Sequence, residues 1–369
     1  MNLEALNVRI RYVLGVHFDP GNGSRYWLER ARALGFDPRK EIRDVHALAL
    51  LGPMDAAALA SRPIEDFIPR SLQSLQSLQS LQCARENLIV AETGGSLGRP
   101  KFAVHGAVEF QAAFVTPFVA AARRAGFPRE LNWLFIGPTG PHIIGKAARS
   151  CAHAMGSADP FTVDFDPRWA RKLPGNSFAR NRYLKHIEEQ ALNVLDSQAV
   201  GVLFATPPVL ASLASQIEAK KREAIRGIHF GGLPVSDSLR AKLRELLPNA
   251  VMISGYGNTL FGMAPELAYA PNQGIDYYAY GIRLLYRVVP LKDGSDGERI
   301  GQTVDYGQRG QVLVHRLDET QLVVNMIERD TAVRIAPLKD AAADGFVLDG
   351  LRDPQPIVDA ATRPALGLY

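Results

Sequence analysis

The strongest chemical signal in the chain is Thr93-Gly94-Gly95-Ser96-Leu97-Gly98-Arg99-Pro100-Lys101, directly after an apolar run at 87–91. Glycines in a turn let backbone N–H groups approach an anion. The Thr93 and Ser96 hydroxyls and the Lys101 ammonium complete a phosphate cradle. The GK[ST] ending of a Walker loop is absent. The same stretch satisfies G-x-S-x-G, the pattern of a nucleophile elbow centred on Ser96. An elbow needs a helix at once after its serine, and Pro100 with Phe102-Ala103-Val104 favours a strand. None of His105, His142, His153, His186, His229 and His315 has the setting of a catalytic base, so a serine hydrolase is the alternative reading of this loop.

The elements that would position these residues follow from periodicity. Apolar runs at 132–137, 198–205, 227–230 and 249–254 predict buried strands. Helices at 142–155, 207–222 and 236–247 alternate with them. Val209, Leu210, Leu213 and Ile217 form one stripe, Pro207 and Pro208 suit a first turn, and Ser236 suits an N-cap. Such alternation predicts an α/β fold with parallel sheet covered by helices on both faces. Residues 1–70 read as helical, with breaks at Pro20, Pro38 and Pro53. Beyond about 275 the pattern changes to strands at 282–291, 310–317 and 321–327, separated by Gly- and Asp-rich turns. These predict an antiparallel sheet or small barrel. The expected organisation is an α/β core over 1–275, an antiparallel β subdomain over 276–353, and a loose tail over 354–369. The SLQ repeat at 71–82 has a three-residue period that keeps no face apolar, and reads as a surface insertion without function.

Composition narrows the partners. The chain is 47% hydrophobic and 22% charged, with a net charge of +4. That balance is ordinary for a globular protein and does not imply nucleic-acid binding. Cys83 and Cys151 lack metal-site spacing and fit a reducing compartment. No apolar run approaches the ~20 residues of a membrane helix, and the first residues lack a signal-peptide core. The expectation is a cytoplasmic protein acting on small molecules, without membrane or nucleic-acid partners.

Further segments recur in a family order. Gly231-Gly232-Leu233-Pro234-Val235-Ser236 resembles a GGxPL segment. Tyr256-Gly257-Asn258-Thr259 resembles YGxT. Glu328-Arg329-Asp330 falls where a ribose-binding aspartate is found, and residues 348–353 resemble a hinge motif. With the 93–101 loop, these resemble the adenylate-forming (acyl-CoA synthetase, ANL) superfamily, in its phenylacetate-CoA ligase-like branch. The resemblance implies an ANL N-terminal domain: two mixed or parallel sheets sandwiched by helices, plus a small antiparallel barrel-like part. It implies ATP and AMP as nucleotides. Thr93, Gly94, Gly95, Ser96, Gly98 and Lys101 would hold the phosphates, with Lys101 and Thr259 as catalytic groups, Thr259 at the α-phosphate. Gly231, Gly232 and Leu233 would meet adenine, Tyr256 would stack on it, and Asp330 with Arg352 would take the ribose. The acid would lie among Gly137, His142, His229, Phe230 and Gly255. Two departures stand out. Leu260 occupies the place of a magnesium-binding glutamate, and leucine cannot ligate a hard cation, so use of Mg²⁺ is open; Glu266 is close in sequence. Only sixteen residues follow Asp353, too few for the family's C-terminal domain. The short form resembles adenylation-like proteins of phenazine antibiotic biosynthesis. That implies an aromatic carboxylic acid such as phenazine-1,6-dicarboxylate, activated for a partner reductase or acyltransferase. A protein that binds such acids with reduced catalysis is the other reading.

Overall fold

A computed structural model of the chain describes residues 3–73, 87–94, 99–175, 177–291 and 295–357. Its strands are β1 (Leu88–Glu92), β2 (Phe102–Gly106), β3 (Asn132–Gly137), β4 (Phe161–Asp164), β5 (Val200–Ala205), β6 (Gly227–Gly231), β7 (Val251–Asn258), β8 (Gly262–Ala270), β9 (Gly274–Tyr278), β10 (Leu284–Val289), β11 (Arg309–Leu317), β12 (Leu322–Ile335) and β13 (Gly350–Pro356). Among the described residues, β1 and β2 form a hairpin, and the other eleven strands form one sheet in the order β10-β11-β12-β13-β9-β8-β7-β6-β5-β3-β4.

The wing from β4 to β7 is parallel. Its strands are apolar because both faces are covered: every residue of β5 is buried. Side chains alternate between two cores. On one face Leu203, Ile228 and Phe230 pack with Leu210, Leu213 and Leu243 from the helices Pro207–Gln216 and Asp237–Leu246. On the other, Phe135, Phe204 and Ile253 pack with Phe118 and Ala148 from Thr116–Ala125 and Ile143–Ala154. Ser236 does cap the Asp237 helix, accepting from the Leu239 N–H at 3.2 Å. The helix expected over 207–222 is two pieces, because Ile217 turns extended to enter the core and the helix restarts at Ala219–Arg222.

The α/β class is the one expected. The antiparallel strands, expected as a separate barrel-like unit from residue 276, continue the same sheet instead: β8 pairs with β7, β9 with β8, and β13 with β9. Prolines 354 and 356 belong to β13 rather than to a loose tail. Leu6, Ile10, Val13 and Trp27 of the N-terminal helices cover this wing against Val312, Val314 and Val323. The SLQ repeat, beyond the short helix Arg70–Gln73, lies outside the described residues, as does Cys83.

One buried charge cluster ties these pieces together. Asp318 lies between Arg283 and Arg316, all three buried. Arg316 donates Nε to Asp318 at 2.6 Å, and Arg283 donates Nε at 2.9 Å. Burial opposes ionisation of Asp318, but the two guanidinium groups outweigh it and hold the carboxyl below the usual range. The remaining guanidinium donors reach backbone carbonyls elsewhere. Arg316 binds Leu260 at 2.7 Å and Val104 at 2.5 Å, and Arg283 binds Phe261 at 2.9 Å. The cluster therefore anchors the β1–β2 hairpin and the β7–β8 turn to β10 and β11. The first helix joins it through His17, which donates to the Asp318 carbonyl at 2.9 Å.

Removing the anion would leave two buried cations uncompensated. Asp318→Asn is expected to lower unfolding stability by about 3–5 kcal/mol. Urea unfolding monitored by tryptophan fluorescence should show a lower midpoint with an unchanged slope.

Candidate functional site

The glycine loop is the connection between the paired strands β1 and β2. Thr93 and Lys101 close the base of that loop: the Lys101 N–H donates to Thr93 Oγ1 at 2.9 Å, and the Thr93 N–H donates to the Lys101 carbonyl at 2.9 Å. Gly95, Ser96 and Gly98 lie outside the described residues. The chain is non-helical at Arg99 and Pro100 and is a strand from Phe102, so the helix that a nucleophile elbow requires is not formed there. Behind the hairpin, Glu92 accepts from Arg168 Nη1 at 2.5 Å.

The YGxT segment forms the end of β7 and the turn into β8. A Cβ on Gly257 would lie 1.9 Å from the Gly262 carbonyl oxygen, so only glycine fits this close approach. The turn places Tyr256 against Asp330 of β12, and the Tyr256 hydroxyl donates to Asp330 Oδ2 at 2.8 Å. Burial and the neighbouring Asp330 charge raise the Tyr256 hydroxyl well above its ordinary pKa, so it stays protonated and donates. Burial also raises the Asp330 carboxyl, while the bond from Tyr256 works the other way. Two residues earlier, the Glu328 carboxyl is pushed up to about 7 by burial and by the Asp330 charge, with the Lys101 ammonium acting against both. Lys101, Glu328, Asp330 and Tyr256 thus share one electrostatic neighbourhood, although they come from three separate parts of the chain. The sequence reading gave Glu328 no role. Its adjacency to Asp330 was visible, but its approach to Lys101 depends on the hairpin.

A cleft opens beside this group at the carboxyl ends of the parallel strands, the usual ligand position in such sheets. Gly231 and Gly232 of the β6 end, Gly255, Gly257, Asn258 and Thr259 form one wall, and Phe114, Ile143, Ile144, Ala147, Cys151 and Phe204 form the apolar remainder, with His229 between. Thr259 is buried and its Oγ1 has no hydrogen-bond partner among the described residues; its carbonyl accepts from His105 Nε2 at 3.0 Å. An unpartnered buried hydroxyl on a cleft wall is costly unless a ligand satisfies it. Cys151 is a cleft residue with an inert thiol, pushed up by burial.

Other expected contacts fall elsewhere. Phe230 points into the opposite core, because side chains on β6 alternate and His229 takes the cleft face. Gly137 ends β3 beneath Phe135, whose ring lies 2.6 Å from where its Cβ would be. Arg352 makes a bidentate ion pair with Asp276 at 2.6 and 2.7 Å, and is not brought to Asp330. Leu233 is half-buried just past β6. His142 is buried at the start of the Ile143–Ala154 helix, both ring nitrogens without a partner among the described residues, one residue from the cleft wall. Burial and the Arg168 charge lower its pKa.

The positions expected for magnesium do not fit that ion. Leu260 is buried in the apolar core. Glu266 is engaged by Arg240 at 2.9 Å and by the Ser254 N–H at 2.9 Å. Among the described residues, no group of three or more His, Cys, Asp or Glu side chains is placed to hold a metal ion. Nor is any helix among them long and apolar enough to cross a membrane.

The chain shares its fold with adenylate-forming ligases. It superposes on 2-hydroxyisobutyryl-CoA ligase, solved in an open conformation with 2-HIB-AMP and CoA, with a TM-score of 0.67 at 15% identity over 97% of this chain and 75% of that one. The thioesterification state of the same ligase gives a TM-score of 0.63 at 15% identity, covering 97% and 68%. In sequence, the 4-coumarate–CoA ligase-like 5 protein of Oryza sativa subsp. japonica is 28% identical over 122 residues, which is 31% of this chain and 22% of that protein. The matched stretch is thus under a quarter of the relative's length. No family model matches the chain.

The raised Glu328 carboxyl makes a signed prediction. Between its unfolded value near 4.5 and its folded value near 7, the native state binds more protons than the unfolded state. Its contribution to stability therefore falls as pH rises through that window. Glu328→Gln should flatten the decline in Tm between pH 5 and 8 that is expected for the unsubstituted chain. An equal pH slope in both proteins contradicts the assignment.

Proposed function

We propose that this chain activates an aromatic carboxylic acid with ATP, forming an acyl-adenylate and pyrophosphate, and passes the activated acyl group to a partner reductase or acyltransferase. The observation that carries the reading is the grouping of Tyr256, bonded to Asp330, with Glu328 under the charges of Asp330 and Lys101, next to the turn whose Gly257 and unpartnered Thr259 hydroxyl line the cleft. These groups match a nucleotide in order: anion donors, an aromatic face, and a carboxylate for hydroxyl groups. The shared fold supports the same reading.

In the proposed reaction a carboxylate oxygen attacks the α-phosphorus in line, and the bond from that phosphorus to the β-bridging oxygen breaks, releasing pyrophosphate. The substrate carboxylate is already ionised at neutral pH, so no general base is needed. What the protein supplies is position and charge. The 93–98 loop and Lys101 receive the β- and γ-phosphates. Thr259 donates its hydroxyl to the α-phosphate. Gly231, Gly232 and Leu233 border the adenine, and Tyr256 flanks it. Asp330 accepts from the ribose through Oδ1 and the remaining lone pairs, since Tyr256 takes only one site on Oδ2. The acid body enters the apolar cleft past His229 and Gly255, with His142 behind the wall. An aromatic acid as large as phenazine-1,6-dicarboxylate is the substrate that the sequence resemblance implies.

Leu260 favours a second reading, an acid-binding protein with little turnover. The two are separated by exchange of labelled pyrophosphate into ATP, tested across a panel of aromatic acids. Acid-dependent exchange is expected, with Lys101→Ala lowering it about 100-fold or more, on the scale of one lost transition-state donor. Acid binding without exchange, in folded protein, supports the second reading instead.

A further inference from the structure

Within the cleft, one polar side chain has its hydrogen-bonding character fixed by the protein. His229 Nδ1 lies 2.9 Å from the Ile253 carbonyl oxygen on the neighbouring strand. A carbonyl only accepts, so Nδ1 carries the hydrogen. Burial outweighs that bond and lowers the ring's pKa to about 4, so the imidazole is neutral at pH 7. Nε2 must then carry a lone pair. The ring cannot turn to exchange the two nitrogens freely, since Phe204 and Phe118 hold it with centroids at 4.3 and 4.8 Å. Among the described residues nothing bonds to Nε2. Gly255 keeps that edge open: a Cβ there would reach within 3.5 Å of His229 Cε1 and 2.7 Å of Met263 Sδ. Apart from Asn258 and Thr259, the other side chains lining the cleft are apolar, and among the described residues no lysine or arginine lines it.

We infer that His229 is a specificity-determining residue: it selects, among the acids the cleft takes, those whose ring carries a hydrogen-bond donor, a hydroxyl or an N–H, to meet Nε2. The inference rests on the acid-activation reading above. A methyl or methoxy group in the same place leaves the lone pair unsatisfied, and a second ionised carboxylate, as in phenazine-1,6-dicarboxylate, would meet it with no lysine or arginine among the described cleft residues, so the inference narrows the aromatic acids proposed above to those with a ring donor. A buried acceptor discriminates strongly against ligands that cannot pair with it.

The test needs only matched acids and the full chain. Binding of 3-hydroxy-, 3-amino-, 3-methoxy- and 3-methylbenzoate, and of the four 4-substituted counterparts, is measured by calorimetry at pH 7. In at least one ring position, the hydroxy and amino acids should bind about 10–100-fold more tightly than the methoxy and methyl acids. His229→Leu, with folding checked by thermal unfolding, should abolish that preference while still binding the methyl acids. Equal binding of all four substituents at both positions overturns the assignment to His229 but leaves acid activation standing. So does a donor preference that persists in folded His229→Leu. Failure of every acid to bind overturns both. Because the comparison among acids uses the unsubstituted protein, a variant that does not fold leaves the decision to that comparison.

Discussion

The arrangement depends on one buried carboxylate. Among the described residues, Asp318 is the one anionic hydrogen-bond partner of two arginines; both also donate to the turn carbonyls at Leu260 and Phe261, and Arg316 in addition to the Val104 carbonyl and the Gln321 amide oxygen. The β2 carbonyl of Val104 and the turn carbonyls of Leu260 and Phe261 are held by the same charge group. Strand β2 and the tyrosine turn are thereby held together, and His105 of β2 also bonds the Thr259 carbonyl at 3.0 Å. A buried ion pair adds little net stability compared with an apolar replacement. Its use here is positional, since charged donors aimed at carbonyls fix direction in a way apolar packing does not.

The site stands at the join of two kinds of sheet. The parallel wing supplies the cleft, because its strands end together and its helices leave an apolar wall there. The antiparallel wing supplies the carboxylates, because β12 runs long enough to bring Glu328 and Asp330 level with the end of β7. The junction is the turn from Gly257 to Gly262, where a close backbone approach excludes side chains. Leu260 inside that turn is packed into the core while its carbonyl accepts from Arg316. The turn is therefore held by backbone and burial rather than by a metal-binding side chain.

Much of this was legible in the sequence. The strands at 132–137 and 227–230 and the Ser236 cap follow from local pattern, because a strand covered on both faces must be apolar throughout. Order along the chain pointed to Tyr256 and Asp330. What could not be read depends on contacts distant in sequence. The Phe178–Ser197 helix was missed because its buried residues, Ile187, Ala191 and Leu195, are diluted among charges. The continuity of the sheet was missed because β8 carries a mixed pattern of buried and partly covered residues and β9 is only five residues long with a buried aspartate within it. Phe230 was assigned to the ligand because strand phase could not be set from one sequence; the pairing of β6 with β5 and β7 decides it. Arg352 was placed at the ribose and Glu328 given no role for one reason: the partners that matter, Asp276 and Lys101, are 76 and 227 residues away.

The central claim is that a single nucleotide bridges Lys101, Tyr256 and Asp330. A crystal structure of the chain with AMP bound tests it most directly. The account predicts the ribose hydroxyls within about 3 Å of Asp330, the adenine between Tyr256 and the Gly231–Leu233 segment, and the phosphate directed to Thr259 and Lys101. AMP bound elsewhere on the protein, or with its ribose distant from Asp330, contradicts it.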